Sequence, residues 1–201
     1  MCQTGVRGQG AGGAVEPEIV VRAQAGDRQA FERLAVNASD RFHGVAYNIL
    51  RDRHLAEDAT QQALLMIWTD LPQLRDPGRF EAWSYRLLVR ACYAEARRHR
   101  RWLSRLASWP EREPLAPSTE IEAVAERDQF DQAFRRLSVD HRVVIVLHHH
   151  LGLTVDDVAQ ALDIPAGTAR SRLDRAMSKL RLALAADAPG AKATAPQEVQ
   201  R

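Results

Sequence analysis

The sequence predicts an all-α fold of two small helical domains joined by a Pro-containing linker, the second carrying a helix-turn-helix. Three observations support it. Apolar residues recur at helical spacing almost throughout, with no sustained alternation and no Asn-Gly or Asp-Gly hairpin signal. Pro110, Pro114 and Pro117 break the chain between two such helical stretches, because each disfavours helix at the residue before it. A segment starting at Leu153 joins a capped short helix to a longer one through a tight turn. The 201 residues suit one or two domains, at roughly 100 residues each.

Taken in order, Glu18–Ala25 and Asp27–Val36 read as two short helices broken by Gly26. Asp40–Leu50 follows, with Phe42, Val45, Ala46 and Ile49 on one stripe. Asp52 can cap the next helix, which runs to about Leu71 and is stopped by Pro72. Pro72–Gly78 is a loop. A long helix from about Phe80 to Trp102 follows, its expected apolar stripe being Trp83, Leu87, the stem of Arg90, and Ala94. Phe80, Trp83 and Trp68 are expected in the core. After the linker, helix resumes near Ser118 and runs to Leu137, and Ser138 caps a helix from Val139 to Leu151, ended by Gly152. Thr154 with Asp157 forms a capping-box-like start for a helix to Leu162. Asp163-Ile164-Pro165 is the turn, and Pro165 suits the first turn of a last helix to about Ala186. The expected domains are 18–103 and 119–186, with a flexible extension over 1–17, a linker over 104–118 and a disordered Ala/Pro-rich tail over 187–201.

Charge excludes little globally and much locally. There are 28 Lys+Arg against 26 Asp+Glu, a net charge of +2. Between Arg79 and Arg101 seven Arg face two Glu, and from Ala166 to Arg181 five basic residues face one Asp. The connector Leu106–Phe134 instead holds seven acids and two Arg. Two basic stretches, each beside an apolar pattern, make two candidate anion-binding surfaces, the alternative for each being a solvated helix face. No apolar run nears the roughly 20 residues of a membrane span, and the Gly-rich polar start lacks the apolar segment of a secretory signal. Cys2 and Cys92 lie far apart and match no metal-ligand spacing. A cytoplasmic, reduced protein without membrane insertion is expected, with no metal and no cofactor. His148-His149-His150 does not change this, since neighbouring helix residues point about 100° apart and cannot converge on one ion.

The segment from Leu153 to Leu173 is the most specific. Val158, Ala159 and Leu162 form the inner face of its first helix, Ala159 being small where the second helix crosses. Ile164 plugs the turn, and Ala169, Leu173, Ala176 and Leu180 face the core. Thr168, Arg170, Ser171, Arg172 and Arg175 are left projecting near the start of the second helix. Such a helix enters the major groove by its N-terminal end, where Arg can pair bidentately with guanine.

In the first domain, Asp58, Gln61, Gln62 and Leu65 share one helix face, which suits either docking to another protein's helices or solvation. On the long helix Arg86, Arg90, Tyr93, Arg97, Arg98, Arg100 and Arg101 mix basic and aromatic groups, as phosphate contact and base stacking require.

Four strings in order carry a family resemblance: Gly26-Asp27-Arg28-Gln29-Ala30-Phe31, Ala56-Glu57-Asp58-Ala59-Thr60-Gln61-Gln62, Phe80-Glu81-Ala82-Trp83-Ser84-Tyr85-Arg86, and the helix-turn-helix. Over about Ala23–Leu184 the chain resembles bacterial RNA polymerase sigma factors of the extracytoplasmic-function (ECF) group within the sigma-70 family. The resemblance implies a subunit that binds core RNA polymerase and directs initiation at specific promoters. It assigns Glu57, Asp58, Gln61, Gln62 and Leu65 to core-polymerase binding. The Pro72–Arg79 loop, with Gln73, Arg75 and Arg79, would capture a flipped base, and Arg86, Arg90, Tyr93, Arg97, Arg98 and Arg100 would contact minus-10 promoter DNA. Thr168, Arg170, Ser171, Arg172 and Arg175 would read the minus-35 element. An anti-sigma factor is a further implied partner. The chain departs from the family's usual pattern at Gln62 (usually acidic), Ala91 (usually Asn), Glu95 (usually Asp) and Arg170 (usually Lys).

Two rivals stand beside this. A stand-alone helix-turn-helix regulator would bind DNA as a dimer, but the sequence has no coiled coil and would leave the first domain without a task. An enzyme would need a Gly-rich phosphate loop, nucleophile elbow or convergent carboxylates, and none is present.

Overall fold

The computed structural model describes residues 15–107 and 125–186. All regular structure among them is helical: α1 (Pro17–Gln24), α2 (Arg28–Leu50), α3 (Arg53–Asp70), α4 (Phe80–Ala107), α5 (Ala125–Arg135), α6 (Val139–Ile145), α7 (Val155–Leu162) and α8 (Ala166–Ala186). The starts follow from side-chain caps. Asp27 accepts from the Ala30 amide, Asp52 from Leu55 and Ser138 from His141, each satisfying an amide the helix leaves unpaired. Gly26, at φ 90°, makes the sharp exit from α1 that an L side chain resists.

Residues 28–50 form one continuous helix, where the sequence suggested two. Asn37, Ser39 and Asp40 could cap a new start, but no Gly or Pro interrupts here. Buried Leu34, Ala38 and Phe42 carry one apolar stripe through the polar stretch, so tertiary burial overrides the local capping alternative. The loop after α3 holds two short 3-10 turns, Leu71–Gln73 and Pro77–Arg79. Gln24 ties it to α1 by donating to the carbonyls of Leu71 (3.1 Å) and Leu74 (2.6 Å). Helix α4 runs on to Ala107, past the end expected near Trp102 and into the stretch expected as linker; the rest of that linker and the start of helix expected near Ser118 lie outside the described residues.

Helix α6 does not continue as α-helix to Leu151. From Val146 to His150 it widens into one π-helical turn, and Gly152 at φ 70° ends it. His148 Nδ1 then lies 2.7 Å from the Leu153 carbonyl, so the widened turn anchors the strap into α7.

Helices α2, α3 and α4 pack around Phe42, Ile49, Ile67, Leu88 and Cys92, all at most 1% exposed. Phe42, Ile49, Ile67 and Leu88 each contribute about 1.5–3 kcal/mol by leaving water. Phe42 and Tyr85 rings meet at 5.6 Å. Helices α5–α8 close around Val143, Val144, Leu147, Ala169, Ala176 and Leu180. The halves also touch: α6 packs on α2 and α4, and α7 on α4. That contact explains a second departure. On α4 the expected stripe of Trp83, Leu87, Arg90 and Ala94 is not the buried face: Leu87 is buried, Trp83 half-buried, and Arg90 and Ala94 exposed. Ser84, Tyr85, Leu88, Val89, Ala91, Cys92, Glu95 and Ala96 are buried instead, because helices cover α4 from two sides. Phe80 is buried as expected, but Trp68 is 45% exposed and rests edge-on against Phe31, centroids 4.6 Å apart.

Candidate nucleic-acid interface

The helix-turn-helix is α7, the turn and α8. Thr154 and Asp157 cap each other reciprocally at the start of α7. Asp163 takes the left-handed conformation at φ 54°, and the Ile164 amide donates back to Ala159, turning the chain. Pro165 lies just before α8, its carbonyl accepting from Thr168 and Ala169, so it caps the helix rather than starting its first turn. Val158, Ala159, Ala169, Ala176 and Leu180 are buried, and Leu162, Ile164 and Leu173 half-buried, so the expected inner faces meet.

Thr168, Arg170 and Arg175 are exposed on the opposite side. Ser171 is half-buried and donates to the Thr168 carbonyl at 3.1 Å. Arg172 differs from expectation. Its side chain is 28% exposed and Nη1 lies 4.0 Å from Asp140 of α6, so it faces the rest of the protein. His141, which the sequence did not single out, sits beside the basic face. Burial, then Lys179, lowers its pKa below 6.5, with Asp140 opposing.

On α4, Arg86, Arg90, Tyr93, Arg97 and Arg100 recur every three or four residues and form one stripe. Arg90, Arg97 and Arg100 are exposed; Arg86 and Tyr93 are half-buried. Arg98 is off that stripe and turned toward α3. Its Nη2 lies 2.8 Å from Asp58 and 2.7 Å from Glu95. Two residues that the resemblance assigns to separate surfaces, Asp58 and Arg98, are thus each other's partners. Spacing alone could have placed Arg98 off the stripe, since 97 and 98 cannot share a face, but not its partner. Gln73, Arg75 and Arg79 are exposed in the loop, Arg79 lying 3.7 Å from Asp76.

On α3, Asp58, Gln61, Gln62 and Leu65 are exposed and Glu57 half-buried. Leu65 (60% exposed) and Trp68 (45%), three residues apart on α3, share an exposed helix face with Gln61 and Gln62, apolar surface among polar groups of the kind that suits protein docking. The sequence reading placed Trp68 in the core and so missed half of this pair.

The buried Cys92 thiol has its pKa pushed up to about 12, chiefly by burial, which fits the core role expected for it. Among the described residues no group of three His, Cys, Asp or Glu is placed to hold a metal, and no helix is long and apolar enough to cross a membrane.

These features define a helical protein with one helix-turn-helix and a second, separate basic stripe. Family comparisons carry the definition further. Residues 36–102 match sigma-70 region 2, and 127–180 match sigma-70 region 4. Similar curated proteins include the RNA polymerase sigma-H factor of Pseudomonas aeruginosa, 26% identical over 84% of this chain and 93% of that protein. The ECF RNA polymerase sigma factor SigM of Mycobacterium tuberculosis is 29% identical over 82% of each. SigL of the same species is 31% identical over 69% of this chain and 80% of that protein. Among solved structures, the sigma factor RpoE bound to the anti-sigma factor NepR from Bartonella quintana superposes with a TM-score of 0.61 at 23% identity. It covers 78% of this chain and 98% of that one. CnrH, in complex with the cytosolic domain of CnrY, gives 0.60 at 22%, covering 85% and 97%. The chain belongs to the ECF RNA polymerase sigma factors of the sigma-70 family. As such it is a promoter-recognising sigma factor.

Proposed function

We propose a division of that task among the surfaces just described. The α3 face, with Glu57, Asp58, Gln61, Gln62 and Leu65, and Trp68 added to it, docks on core RNA polymerase. Arg86, Arg90, Tyr93, Arg97 and Arg100 of α4, with Gln73, Arg75 and Arg79 of the loop, contact minus-10 DNA, where the loop captures a flipped base. Thr168, Arg170, Ser171, Arg172 and Arg175 of α8 read the minus-35 element. Arg98 is reassigned as the brace between Asp58 and Glu95. The working units are 18–103 and 119–186, the protein acts in the cytoplasm where its polymerase is, and it performs no catalysis of its own. An anti-sigma factor is part of the proposal, because RpoE, of similar fold, forms a complex with one.

The observation that carries the reading is the exposed Thr168–Arg170–Arg175 cluster in the first half of the recognition helix α8, on a chain that also presents exposed Leu65 and Trp68. One surface suits base edges and the other suits protein. Transcription from a promoter library by core polymerase plus this chain tests the division. Arg170→Ala should lower promoter-directed initiation by about 1–3 kcal/mol of binding and leave core affinity unchanged. Leu65→Asp should lower core affinity instead. Loss of core affinity in Arg170→Ala would contradict the division.

A further inference from the structure

The basic side of α8 has a neighbour that the proposed function leaves without a task. Arg172, Arg175 and Lys179 stand three and four residues apart, on one side of the helix. Arg175 and Lys179 are exposed and Arg172 half-buried. Helix α6 packs alongside α8, and two observations fix which of its residues meet that side. Asp140 lies 4.0 Å from Arg172 Nη1. His141, the next residue, is within electrostatic reach of Lys179, Arg172 and Arg175 together.

The His141 ring is seated. Its Nδ1 lies 3.1 Å from the Ser138 hydroxyl, the group that also caps α6 by accepting from the His141 amide. A hydroxyl can donate to a neutral ring nitrogen and accept from a protonated one, so this contact serves both charge states. With Nδ1 held, Nε2 is the open edge. It makes no hydrogen bond among the described residues, and the residue is half-buried, not enclosed.

The charges around the ring are lopsided. Lys179, Arg172 and Arg175 of α8 oppose a positive charge on it, and Asp140 alone favours one. Tyr93 of α4 reaches the same Asp140 and Arg172 but stays neutral, because burial first and Asp140 next raise its pKa. In the free chain the proton is therefore held off the ring: burial, followed by Lys179, keeps its pKa below 6.5. A DNA phosphate set against Arg175 and Lys179 reverses this balance. It cancels the repulsion, and it offers Nε2–H an acceptor that bonds more strongly to the charged ring than to the neutral one.

We propose that His141 is a further phosphate-contacting residue of the minus-35 surface, seated by Ser138 so that DNA binding draws a proton onto its ring. This rests on the assignment of α8 to DNA above. Binding and protonation then support each other, and the complex tightens as pH falls. A ring whose pKa rises by about 1 on binding makes the complex about tenfold tighter well below both values than well above them.

The test uses the full chain as wild type, His141→Gln and Arg170→Ala, with a random-sequence 30-base-pair duplex at fixed ionic strength. NMR of isotope-labelled histidine follows the His141 ring, identified by its absence in His141→Gln, through a pH titration with and without duplex. The ring should titrate at higher pH in the complex than in the free chain. Between pH 7.5 and 5.5 the wild type should gain about three- to tenfold more affinity than His141→Gln, read by fluorescence anisotropy. An unmoved midpoint on duplex binding, or one pH profile shared by wild type and His141→Gln, would overturn the proposal. The midpoint is read on the wild type, so it holds whatever the substitution does to folding. Arg170→Ala separates this inference from the reading beneath it. If it weakens duplex binding at pH 7.5 while the wild-type His141 midpoint stays put, this inference alone fails. If it leaves duplex binding unchanged, the assignment of α8 to DNA fails and takes the inference with it.

Discussion

Replacing Arg98 by Ala tests the local electrostatics most sharply. Arg98 is 61% exposed on its side chain and spans two carboxylates, Asp58 at 50% and Glu95 at 8%. The Asp58 leg is an exposed pair, contributing about 0.5 kcal/mol. The Glu95 leg matters more, since removing Arg98 leaves a buried carboxylate facing no cation. A fully buried pair broken this way costs about 3–5 kcal/mol, and exposure at the Arg98 end reduces that to about 1–2. The sum is about 2 kcal/mol, which for a urea slope of about 2 kcal/mol per molar moves the unfolding midpoint down by about 1 M. Unfolding followed by tryptophan fluorescence reads this directly. Adding Glu95→Ala to Arg98→Ala should recover part of the loss, because no orphaned charge then remains. If Arg98 instead contacted promoter DNA, Arg98→Ala would leave the midpoint unchanged, weaken DNA binding and lower its salt slope by about one. That outcome would refute the brace.

Other consequences follow from single sites. Thr154→Ala removes the reciprocal cap of α7 and should destabilise the helix-turn-helix by about 1 kcal/mol, read as earlier thermal unfolding. Cys92, buried and with its thiol pKa pushed up to about 12, should resist alkylation at pH 8 until the chain unfolds, as peptide mapping after labelling can show. His141 has a folded pKa below its ordinary 6.5, so near that pH the unfolded chain binds more protons. Its contribution is complete above pH 6.5 and lost as pH falls toward the folded value; the wild type should therefore lose more stability than His141→Gln between pH 7.5 and 5.5, measured by thermal melts.

What the sequence revealed depended on how local the signal was. The capping box at Thr154–Asp157, the caps at Asp52 and Ser138 and the exposed Arg170 and Arg175 were all legible, because each is set within one or two helical turns. The unbroken α2 was not, since capping residues at 37–40 mimic a helix start and only burial of Ala38 and Phe42 decides against it. The stripe on α4 was misjudged for the same reason: its width depends on neighbours from distant parts of the chain. The ion pairs Arg51–Asp131 and Asp140–Arg172 left no trace at all, as nothing in a one-dimensional pattern brings together residues 80 and 32 apart. At the candidate site, residue types and order carried the family resemblance. Which basic residues are free for DNA and which are held by carboxylates needed three dimensions.

The most direct test of the central claim is gel filtration of the purified chain with bacterial core RNA polymerase. The account predicts one stoichiometric complex, lost on Leu65→Asp and kept on Arg170→Ala. Free migration of the wild-type chain beside core polymerase would contradict it.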